Sequence, residues 1–203
     1  MKILITGGSG FVGDRLARAL LARRTLAGRD ITKLVLTDLA PPRADLLADA
    51  RVQPRTGALL AQTEALRDEP FDAIFHLASA VSGECEADFD LGLRSNIDST
   101  RALLDAVRAN DKWKNAAGGS APRFVFSSSV AVFGPDPAHP LPPVVGDATL
   151  PAPQTSYGMH KLVCEHLVAD YTRKGYLDGR SARLMTVTVR PGKPNGAASS
   201  FFS

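Results

Sequence analysis

Short apolar runs alternate with longer segments of helical periodicity along almost the whole chain. The apolar runs predict buried strands at residues 2–6, 31–38, 72–77, 123–127 and 183–189, with a weaker strand around Val52. Helical spacing of apolar residues predicts helices at residues 11–24, 59–68, 88–110 and 156–174, and a short helix within 41–50. Parallel strands need long crossover connections, which are usually helices. This order therefore predicts an α/β fold with a doubly wound parallel sheet and helices on both of its faces.

The composition fits one globular domain and argues against several classes of protein. The chain has 203 residues, with 24 basic and 21 acidic side chains and a net charge of +3. Such a balanced charge gives no case for a nucleic-acid partner, and no apolar run approaches the roughly 18 residues of a membrane span. Cys85 and Cys164 are too few for a disulfide framework, so we expect free thiols in a reducing cytoplasm. No metal site is predicted.

A glycine-rich segment lies between the first predicted strand and the first predicted helix. Gly7, Gly10 and Gly13 follow the spacing Gly-x-x-Gly-x-x-Gly. In a dinucleotide-binding turn, the first glycine allows a tight turn, the second lets a pyrophosphate approach the backbone, and the third lets the helix pack closely on the strand. The free N–H groups at the start of the helix, around Phe11 and Val12, favour phosphates. The segment therefore predicts a Rossmann-type dinucleotide site, although three glycines also occur in turns that bind nothing.

Asp38 ends the second predicted strand, where a carboxylate can accept hydrogen bonds from both hydroxyls of an adenosine ribose. Because a carboxylate there repels a 2′-phosphate, Asp38 predicts NAD rather than NADP as the cofactor. It lies further from the glycines than the usual ~20 residues, and the polar insert 25–30 absorbs the difference. Two alternatives stay open: Asp38 as a turn or capping residue, and a weaker exclusion of NADP because Arg43 lies close by in sequence.

Tyr157 and Lys161 lie four residues apart on a predicted helix, so they project from one face, one turn apart. A free tyrosine has a pKa near ~10, and a neighbouring ammonium lowers that pKa because it favours the phenolate. Tyr157 could then move a proton to or from a substrate hydroxyl while a hydride moves to or from nicotinamide. Such pairs are common on helices, and this one gains weight from its place between the fifth and sixth predicted strands.

Three serines, at positions 127 to 129, close the fifth predicted strand. A hydroxyl at that point can hydrogen-bond the reacting oxygen and hold it beside Tyr157. We predict that Ser129 makes this substrate contact, and the alternative is that the serines merely cap the next turn. Residues 134–153, which are rich in proline, predict a long irregular loop of the kind that is often functional.

These segments together resemble the extended short-chain dehydrogenase/reductase family, also called the NAD-dependent epimerase/dehydratase family. The matching pieces follow the family's order and cover nearly the whole chain: Ile5–Gly13, Phe75–Ser79, Asn96, Phe126–Ser129, Tyr157 with Lys161, and Arg190–Pro191. The resemblance implies a Rossmann fold, NAD as cofactor, and Ser129, Tyr157 and Lys161 as the catalytic residues.

The resemblance also gives roles to residues that spacing alone does not single out. Leu77, Ala78 and Ser127 would belong to the cofactor-binding residues, with Ala78 lining the channel after the fourth strand. Lys161 would hydrogen-bond the nicotinamide ribose in addition to its effect on the tyrosine. Asn96 and Tyr157 are also counted among the cofactor-binding residues, and Asn96 would hold the middle of its helix and the geometry of the active site.

The histidines are predicted to take no part in the chemistry. His76 matches the family's pattern and is expected to be structural. His160 and His166 are expected to be exposed residues of the last helix, and His139 a residue of the long loop.

The sequence departs from the family's pattern in two places. Many members carry an aspartate after the third strand that touches the adenine, whereas residues 56–59 here read Thr-Gly-Ala-Leu, so that contact is in doubt. After Pro191 the sugar-nucleotide enzymes continue with an asparagine, an aromatic residue and a glycine, whereas this chain reads Gly-Lys-Pro-Asn-Gly. That tail resembles the branch of the family that oxidises a four-carbon sugar acid such as D-erythronate to a 2-keto acid.

The tail also supplies the candidates for substrate binding. The carboxylate of a sugar acid, held in a partly dry cleft, needs a cation or several hydrogen-bond donors. Lys193 lies just past the last predicted strand and is the candidate cation, and Ser199 and Ser200 are candidate hydrogen-bonding partners. The alternative for Lys193 is a solvated loop lysine.

We predict that residues 1–190 form the NAD-binding domain and that residues 191–203 begin a truncated substrate-binding segment. Family members continue into a smaller C-terminal lobe, which is largely absent here, so the chain is either a fragment or a truncated protein. Three functions compete: a dehydrogenase acting on a sugar acid, a nucleotide-sugar epimerase or dehydratase with bound NAD, and an inactive NAD-binding sensor. The expected partner is a small molecule, not a membrane, and a homodimer is left open.

Overall fold

The computed structural model describes residues 1–109 and 121–186. Its strands are β1 (Lys2–Thr6), β2 (Thr25–Leu26), β3 (Arg29–Asp30), β4 (Lys33–Asp38), β5 (Val52–Thr56), β6 (Ala73–His76), β7 (Arg123–Ser129) and β8 (Asp178–Leu184). Six of them form one parallel sheet in the order β5-β4-β1-β6-β7-β8, while β2 and β3 form a small antiparallel hairpin in the polar insert. Without the hairpin this is the 3-2-1-4-5-6 order of a Rossmann fold, whose strand order reverses between β1 and β6.

The helices connect these strands. They are α1 (Phe11–Arg23), α2 (Ala44–Leu47), α3 (Leu59–Arg67), α4 (Ser82–Ala87), α5 (Phe89–Gly92), α6 (Ser99–Ala109) and α7 (Ser156–Arg173). A π-helical segment, Leu93–Asp98, joins α5 to α6, and a 3₁₀ turn, Val130–Val132, follows β7. No helix in the described parts of the chain is both long and apolar enough to span a membrane.

Both faces of the sheet are covered, as strand β1 illustrates. Leu4 points to a core that it shares with Leu103 of α6 and Val168 of α7. Its neighbours in the strand, Ile3 and Ile5, point to the opposite core, which contains residues of α1. Since successive side chains of a strand alternate between its faces, an apolar run without polar interruption indicates a strand buried on both sides. The predicted doubly wound fold is confirmed.

The last strand was predicted in the wrong place. It was expected at residues 183–189, but β8 spans Asp178–Leu184 and pairs with β7 from Arg123 opposite Asp178 to Ser129 opposite Leu184. Residues beyond 186 lie outside the described part of the chain. The prediction followed an apolar run, whereas β8 is the edge strand of the sheet and carries charged, partly exposed side chains that give no such signal.

The segment after β6 is more divided than the predicted helix at 88–110. Helix α4 was not predicted, and Asp88 separates it from α5 by accepting a hydrogen bond from the Leu91 N–H at 2.9 Å. The π-helical segment then interrupts the regular helix around Asn96.

The prediction of a long irregular loop is confirmed. Residues 134–153 contain no helix and no strand of a sheet, and their one pairing is an isolated bridge between Asp136 and His139.

Candidate cofactor and catalytic site

The glycines of the first turn sit where no side chain fits. Gly7 has a φ of 71°, in the left-handed region, and a Cβ there would lie 2.8 Å from the Ala78 nitrogen. A Cβ on Gly13 would overlap the carbonyl oxygen of Gly7. Gly10 differs, because among the described residues its Cβ would meet that same oxygen alone, at 3.3 Å. Gly7 and Gly13 are thus required by packing, while Gly10 is much less crowded.

Helix α1 begins directly after Gly10. Gly10 is its N-cap and has no side chain that could take up the N–H groups of the first turn. Phe11 and Val12 are the first two residues of the helix, so their backbone faces the region next to Gly10. The first N–H groups of a helix carry a partial positive charge and bind anions. This geometry fits a pyrophosphate, as the glycine spacing predicts.

A cavity of about 600 Å³ lies at the carboxyl ends of β1, β4 and β6. Open α/β sheets bind their ligands at this point, where the strand order reverses. The cavity brings together several predicted cofactor residues, and its walls include Gly7, Gly10, Asp38, Gly57, Leu77 and Ala78. The predicted catalytic residues lie further along the same edge of the sheet, on β7 and α7.

Asp38 is held by the backbone at the cavity wall. Its Oδ2 accepts a hydrogen bond from the Ser9 N–H at 2.9 Å, and its Oδ1 accepts one from the Leu39 N–H at 2.7 Å. The Ser9 hydroxyl also donates to the Ala40 carbonyl at 2.8 Å, which ties the glycine turn to the chain after β4. A carboxylate has about four acceptor positions, so two remain for ribose hydroxyls. Asp38 is therefore a turn residue by geometry and stays a predicted ribose ligand.

A buried hydrogen-bonded row fixes the end of β6. The ring of His76 bonds the hydroxyl of Thr6 through Nδ1 and that of Thr100 through Nε2, both at 2.7 Å. The Thr6 hydroxyl also accepts hydrogen bonds from the N–H groups of Leu77 and Ala78, each at 3.2 Å. Burial, with the nearby positive charge of Lys161, lowers the pKa of His76 to about 3. The neutral ring is structural, as predicted, and it orients one wall of the cavity.

Asn96 lies in the π-helical segment and is only 3% exposed. Its Oδ1 accepts hydrogen bonds from the Ala80 N–H at 2.7 Å and the Ser79 hydroxyl at 3.0 Å, and its Nδ2 donates to the Ala80 carbonyl at 3.3 Å. The side chain thus holds the loop that follows β6 instead of facing the cavity. This contact pattern supports the predicted role in geometry more than a direct contact with the cofactor.

The prediction for His160 was wrong. It was expected to be exposed, but it is fully buried, with Nδ1 3.4 Å from the Asn96 amide nitrogen and Cε1 against Gly92. Burial lowers its pKa, opposed by Glu86. The helical spacing did not reveal this position, because helix α7 packs against both the sheet and the segment α4–α5, so more than one of its faces is covered. His166, on the remaining face, is exposed as expected.

The predicted catalytic pair is adjacent in space. The Lys161 ammonium lies 5.4 Å from the centre of the Tyr157 ring and 4.9 Å from that of Phe126. It donates a hydrogen bond to the Ser127 carbonyl at 2.8 Å and is 3% exposed. Burial lowers the pKa of Lys161 to about 8. A buried charge next to a phenol stabilises the phenolate, which is the property required of an acid/base tyrosine.

The sequence analysis gave no role to Gly158, although this residue lets the helix that carries Tyr157 and Lys161 pack against the turn that follows β7. A Cβ at this position would overlap the Ala131 carbonyl oxygen, in the turn that follows Ser129. Its N–H also binds the hydroxyl of Thr155, which caps helix α7, at 3.1 Å. A glycine directly after the predicted catalytic tyrosine was the available signal, since a glycine within a helix indicates close approach of another backbone.

The three serines of β7 have different surroundings. The Ser127 hydroxyl donates to the His76 carbonyl at 3.1 Å, and the buried Ser128 hydroxyl binds the carboxylate of Glu165. The Ser129 hydroxyl accepts from the Ala131 N–H at 3.1 Å, which leaves its own hydrogen for another acceptor. Of the three, Ser129 is therefore best placed to meet a substrate oxygen, although it also caps the 3₁₀ turn. Lys193, Ser199, Ser200 and the Arg190–Pro191 pair lie outside the described residues.

Comparison with known proteins identifies the family. The chain belongs to the NAD dependent epimerase/dehydratase family, whose model matches residues 3–203. This confirms the resemblance seen in the glycine turn, the segments Phe75–Ser79 and Phe126–Ser129, and the Tyr157–Lys161 pair. The cofactor expected from Asp38 is the one that the family's description names.

Three similar proteins differ in what their names say they act on. The chain is 50% identical to D-erythronate dehydrogenase of Cupriavidus necator, with 100% of this chain and 60% of that protein covered. It is 44% identical to the solved nucleoside-diphosphate-sugar epimerase from Agrobacterium tumefaciens, with a TM-score of 0.87 and 100% and 57% covered. It is 27% identical to UDP-glucuronic acid 4-epimerase from Bacillus cereus, solved with NAD, with a TM-score of 0.72 and 93% and 57% covered. The chain thus spans about three-fifths of the length of each.

Proposed function

We propose that this chain is the NAD-binding and catalytic part of a dehydrogenase that oxidises a secondary hydroxyl of a sugar acid such as D-erythronate. The observation that carries the proposal is the buried ammonium of Lys161 beside the ring of Tyr157, held by the Ser127 carbonyl. The 50% identity to a D-erythronate dehydrogenase supports the choice of substrate class.

The residues present fit NAD. The pyrophosphate would lie at the start of α1 beside Gly10, and the adenosine ribose at the two remaining acceptor positions of Asp38. Leu77 and Ala78 would line the channel, and Lys161 would bond the nicotinamide ribose. When bound, NAD accepts a hydride from the carbon that carries the substrate hydroxyl.

Tyr157 then acts as the base. Its phenolate, stabilised by the Lys161 ammonium, takes the proton of the substrate hydroxyl, and Ser129 donates a hydrogen bond to the same oxygen. The close packing of Gly158 on the turn after Ser129 keeps the tyrosine and the serine on the same side of the sheet edge. The substrate carboxylate would be met by Lys193, with Ser199 and Ser200 as further donors.

A nucleotide-sugar epimerase or dehydratase is the second candidate, because a solved protein 44% identical to this chain bears that kind of name. It would use the same cofactor site and the same tyrosine. The two candidates differ in the substrate that reaches Ser129 and Tyr157 and in the redox balance, because a dehydrogenase would leave the hydride on the cofactor, whereas an epimerase or dehydratase would return it to the sugar.

The deciding experiment incubates the full-length gene product and NAD with a panel of sugar acids and UDP-sugars, and follows NADH by its absorbance and conversion of each sugar by chromatography. We expect NADH to form with a four-carbon sugar acid and not with a UDP-sugar. Turnover of a UDP-sugar with no reaction of any acid would replace the first candidate by the second.

The variant Lys193→Ala tests the carboxylate contact: it should raise the KM for the acid and leave NAD affinity unchanged.

A further inference from the structure

Glu165 of helix α7 is tied to the strand that carries the predicted catalytic serine. Its carboxylate accepts a hydrogen bond from the hydroxyl of Ser128, which lies between Ser127 and Ser129 in β7. Glu165 follows Lys161 by one helical turn, and Lys161 binds the carbonyl of Ser127. Two successive turns of the helix are therefore fastened to two successive residues of the strand.

Arg183 completes this group from the edge strand β8. Its Cα is the direct partner of the Ser128 Cα in the parallel register, so both side chains point to the same helix. Its guanidinium binds Glu165 at two points, Nε to Oε1 at 3.0 Å and Nη2 to Oε2 at 2.7 Å. The side chains of both are mostly buried, with exposures of 20% for Arg183 and 10% for Glu165. A bidentate pair of this kind fixes orientation as well as distance.

The same guanidinium also reaches the segment that leaves the site. It lies 4.9 Å from the centre of the Phe133 ring, at the start of the long loop, and its Nη1 is 3.5 Å from the Asp147 carbonyl oxygen within that loop. Arg183 thus contacts helix α7, the beginning of the loop that follows Ser129, and a residue in the interior of that loop. None of these contacts involves the predicted cofactor cavity.

We propose that Glu165 and Arg183 are positioning residues: their ion pair, with Ser128, locks the end of β7 against helix α7 and so sets the distance from Ser129 to Tyr157 and Lys161. The proposal rests on the proposed function for the roles of those three residues. Small displacements matter here, because a shift of about 1 Å in a catalytic group can lower a rate by about 100-fold.

The test uses the full-length gene product with the variants Glu165→Gln, Arg183→Met and their combination. Glu165→Gln keeps the size of the side chain but removes the charge that Arg183 binds. The matched controls are Asp170→Asn and Arg173→Met, which break an exposed ion pair on the same helix. The measurements are kcat and KM with the substrate that the panel identifies, the Kd of NAD, and hydrogen exchange of the amides at residues 127–133.

Each single variant should lower kcat by about 10-fold or more while KM and the Kd of NAD stay within about 2-fold, because binding groups are untouched and only alignment is lost. The double variant should lose less than the product of the two single losses, since both break the same contact. Arg183→Lys should retain part of the activity. The control pair should change nothing. A kcat within 2-fold of the unmodified protein in a folded variant, or a loss seen only in KM, overturns the proposal.

Hydrogen exchange separates this proposal from the proposed function. Exchange at residues 127–133 should speed up in Glu165→Gln and not in Asp170→Asn, whatever reaction the protein performs. Unchanged exchange would overturn the lock even if the dehydrogenase assignment holds. If either single variant fails to fold, the test is made with Ser128→Ala, which removes one hydrogen bond to Glu165. This variant should speed hydrogen exchange at residues 127–133 and lower kcat by about 3-fold or more. No change in exchange or in kcat would refute the proposal.

Discussion

The two halves of the site are built in opposite ways. At the cofactor end, the backbone segments beside the cavity pack closely because side chains are missing: a Cβ at Gly7 or Gly13 would collide with backbone. At the catalytic end, β7 and α7 are joined by polar side chains, among them Lys161 and Glu165. The first half should therefore be sensitive to added atoms, and the second to removed charges and hydrogen bonds.

The largest effect on activity is expected at the catalytic end. Tyr157→Phe keeps the ring but removes the group that carries the proton, so kcat should fall by about 10³-fold. The Kd of NAD, measured by calorimetry, should stay nearly the same. A Phe variant that retains most of its activity would show that Tyr157 is not the acid/base and would remove the chemical difference between the two halves.

At the cofactor end, two glycine substitutions should separate packing from binding. Gly13→Ala forces a Cβ into the Gly7 carbonyl and should reduce the free energy of unfolding by about 3 kcal/mol, as measured by urea denaturation. Gly10→Ala should reduce stability much less than Gly13→Ala and should weaken NAD binding, because its Cβ has a single tight contact, 3.3 Å from the Gly7 carbonyl oxygen, and lies where the pyrophosphate is expected. Gly146→Ala is the control, since no described atom lies within 4 Å of its Cβ. Equal losses of unfolding free energy in Gly10→Ala and Gly13→Ala would contradict the distinction between a glycine required for packing and a glycine required for binding.

The hydrogen-bonded row around His76 at the end of β6 predicts that the free energy of unfolding decreases at acid pH. The folded pKa of His76 is about 3, because of burial and the charge of Lys161, while an unfolded histidine titrates near ~6.5. The folded state thus binds the proton less well, so this stability is present above about pH 6.5 and is lost as the pH falls toward 3. Between pH 6.5 and 4.5 the loss of unfolding free energy from this group should be about 2 kcal/mol.

Urea denaturation at a series of pH values, for the unmodified protein and for His76→Gln, would measure the slope of the unfolding free energy against pH. The exposed His166→Gln is the matched control and should keep the full acid sensitivity. If His76→Gln shows the same slope as the unmodified protein, other buried groups, His160 first among them, account for it.

The smallest effect is expected at Asp38. Asp38→Ala removes the acceptors of the ribose hydroxyls and the repulsion of a 2′-phosphate, so the preference for NAD over NADP should shrink by about 10-fold, or about 1.4 kcal/mol. Because Asp38 also accepts hydrogen bonds from Ser9 and Leu39, thermal melting must accompany the two cofactor titrations. Tighter binding of NADP than NAD by the unmodified protein would reverse the expectation.

The two halves also differ in how far the sequence predicts them. The cofactor end could be predicted because its determinants are local: the glycine spacing, and an acidic residue at the end of the next strand. The Tyr157–Lys161 pair was predictable for the same reason, since one helix carries both. Their position relative to the predicted strands indicated a Rossmann fold, which the strand order of the sheet confirms.

The remainder of the catalytic end depends on contacts between distant segments. Glu165 and Arg183 are separated by a loop and belong to different elements, and no periodicity links them. The burial of His160 follows from packing against the segment around Gly92, which the sequence pattern did not divide correctly. The edge strand β8 has polar side chains, so it was placed too late in the chain.

The burial of Lys161 has a consequence for any attempt to engineer this protein. Burial lowers the pKa of Lys161 to about 8 in the folded state, which means that the fold disfavours its charged form. At neutral pH this lysine therefore lowers the free energy of unfolding. Laboratory evolution that rewards heat resistance alone would therefore favour an apolar replacement such as Lys161→Met, and would yield heat-resistant descendants without the predicted catalytic lysine. Selection for thermostability needs a simultaneous demand for turnover to keep this residue.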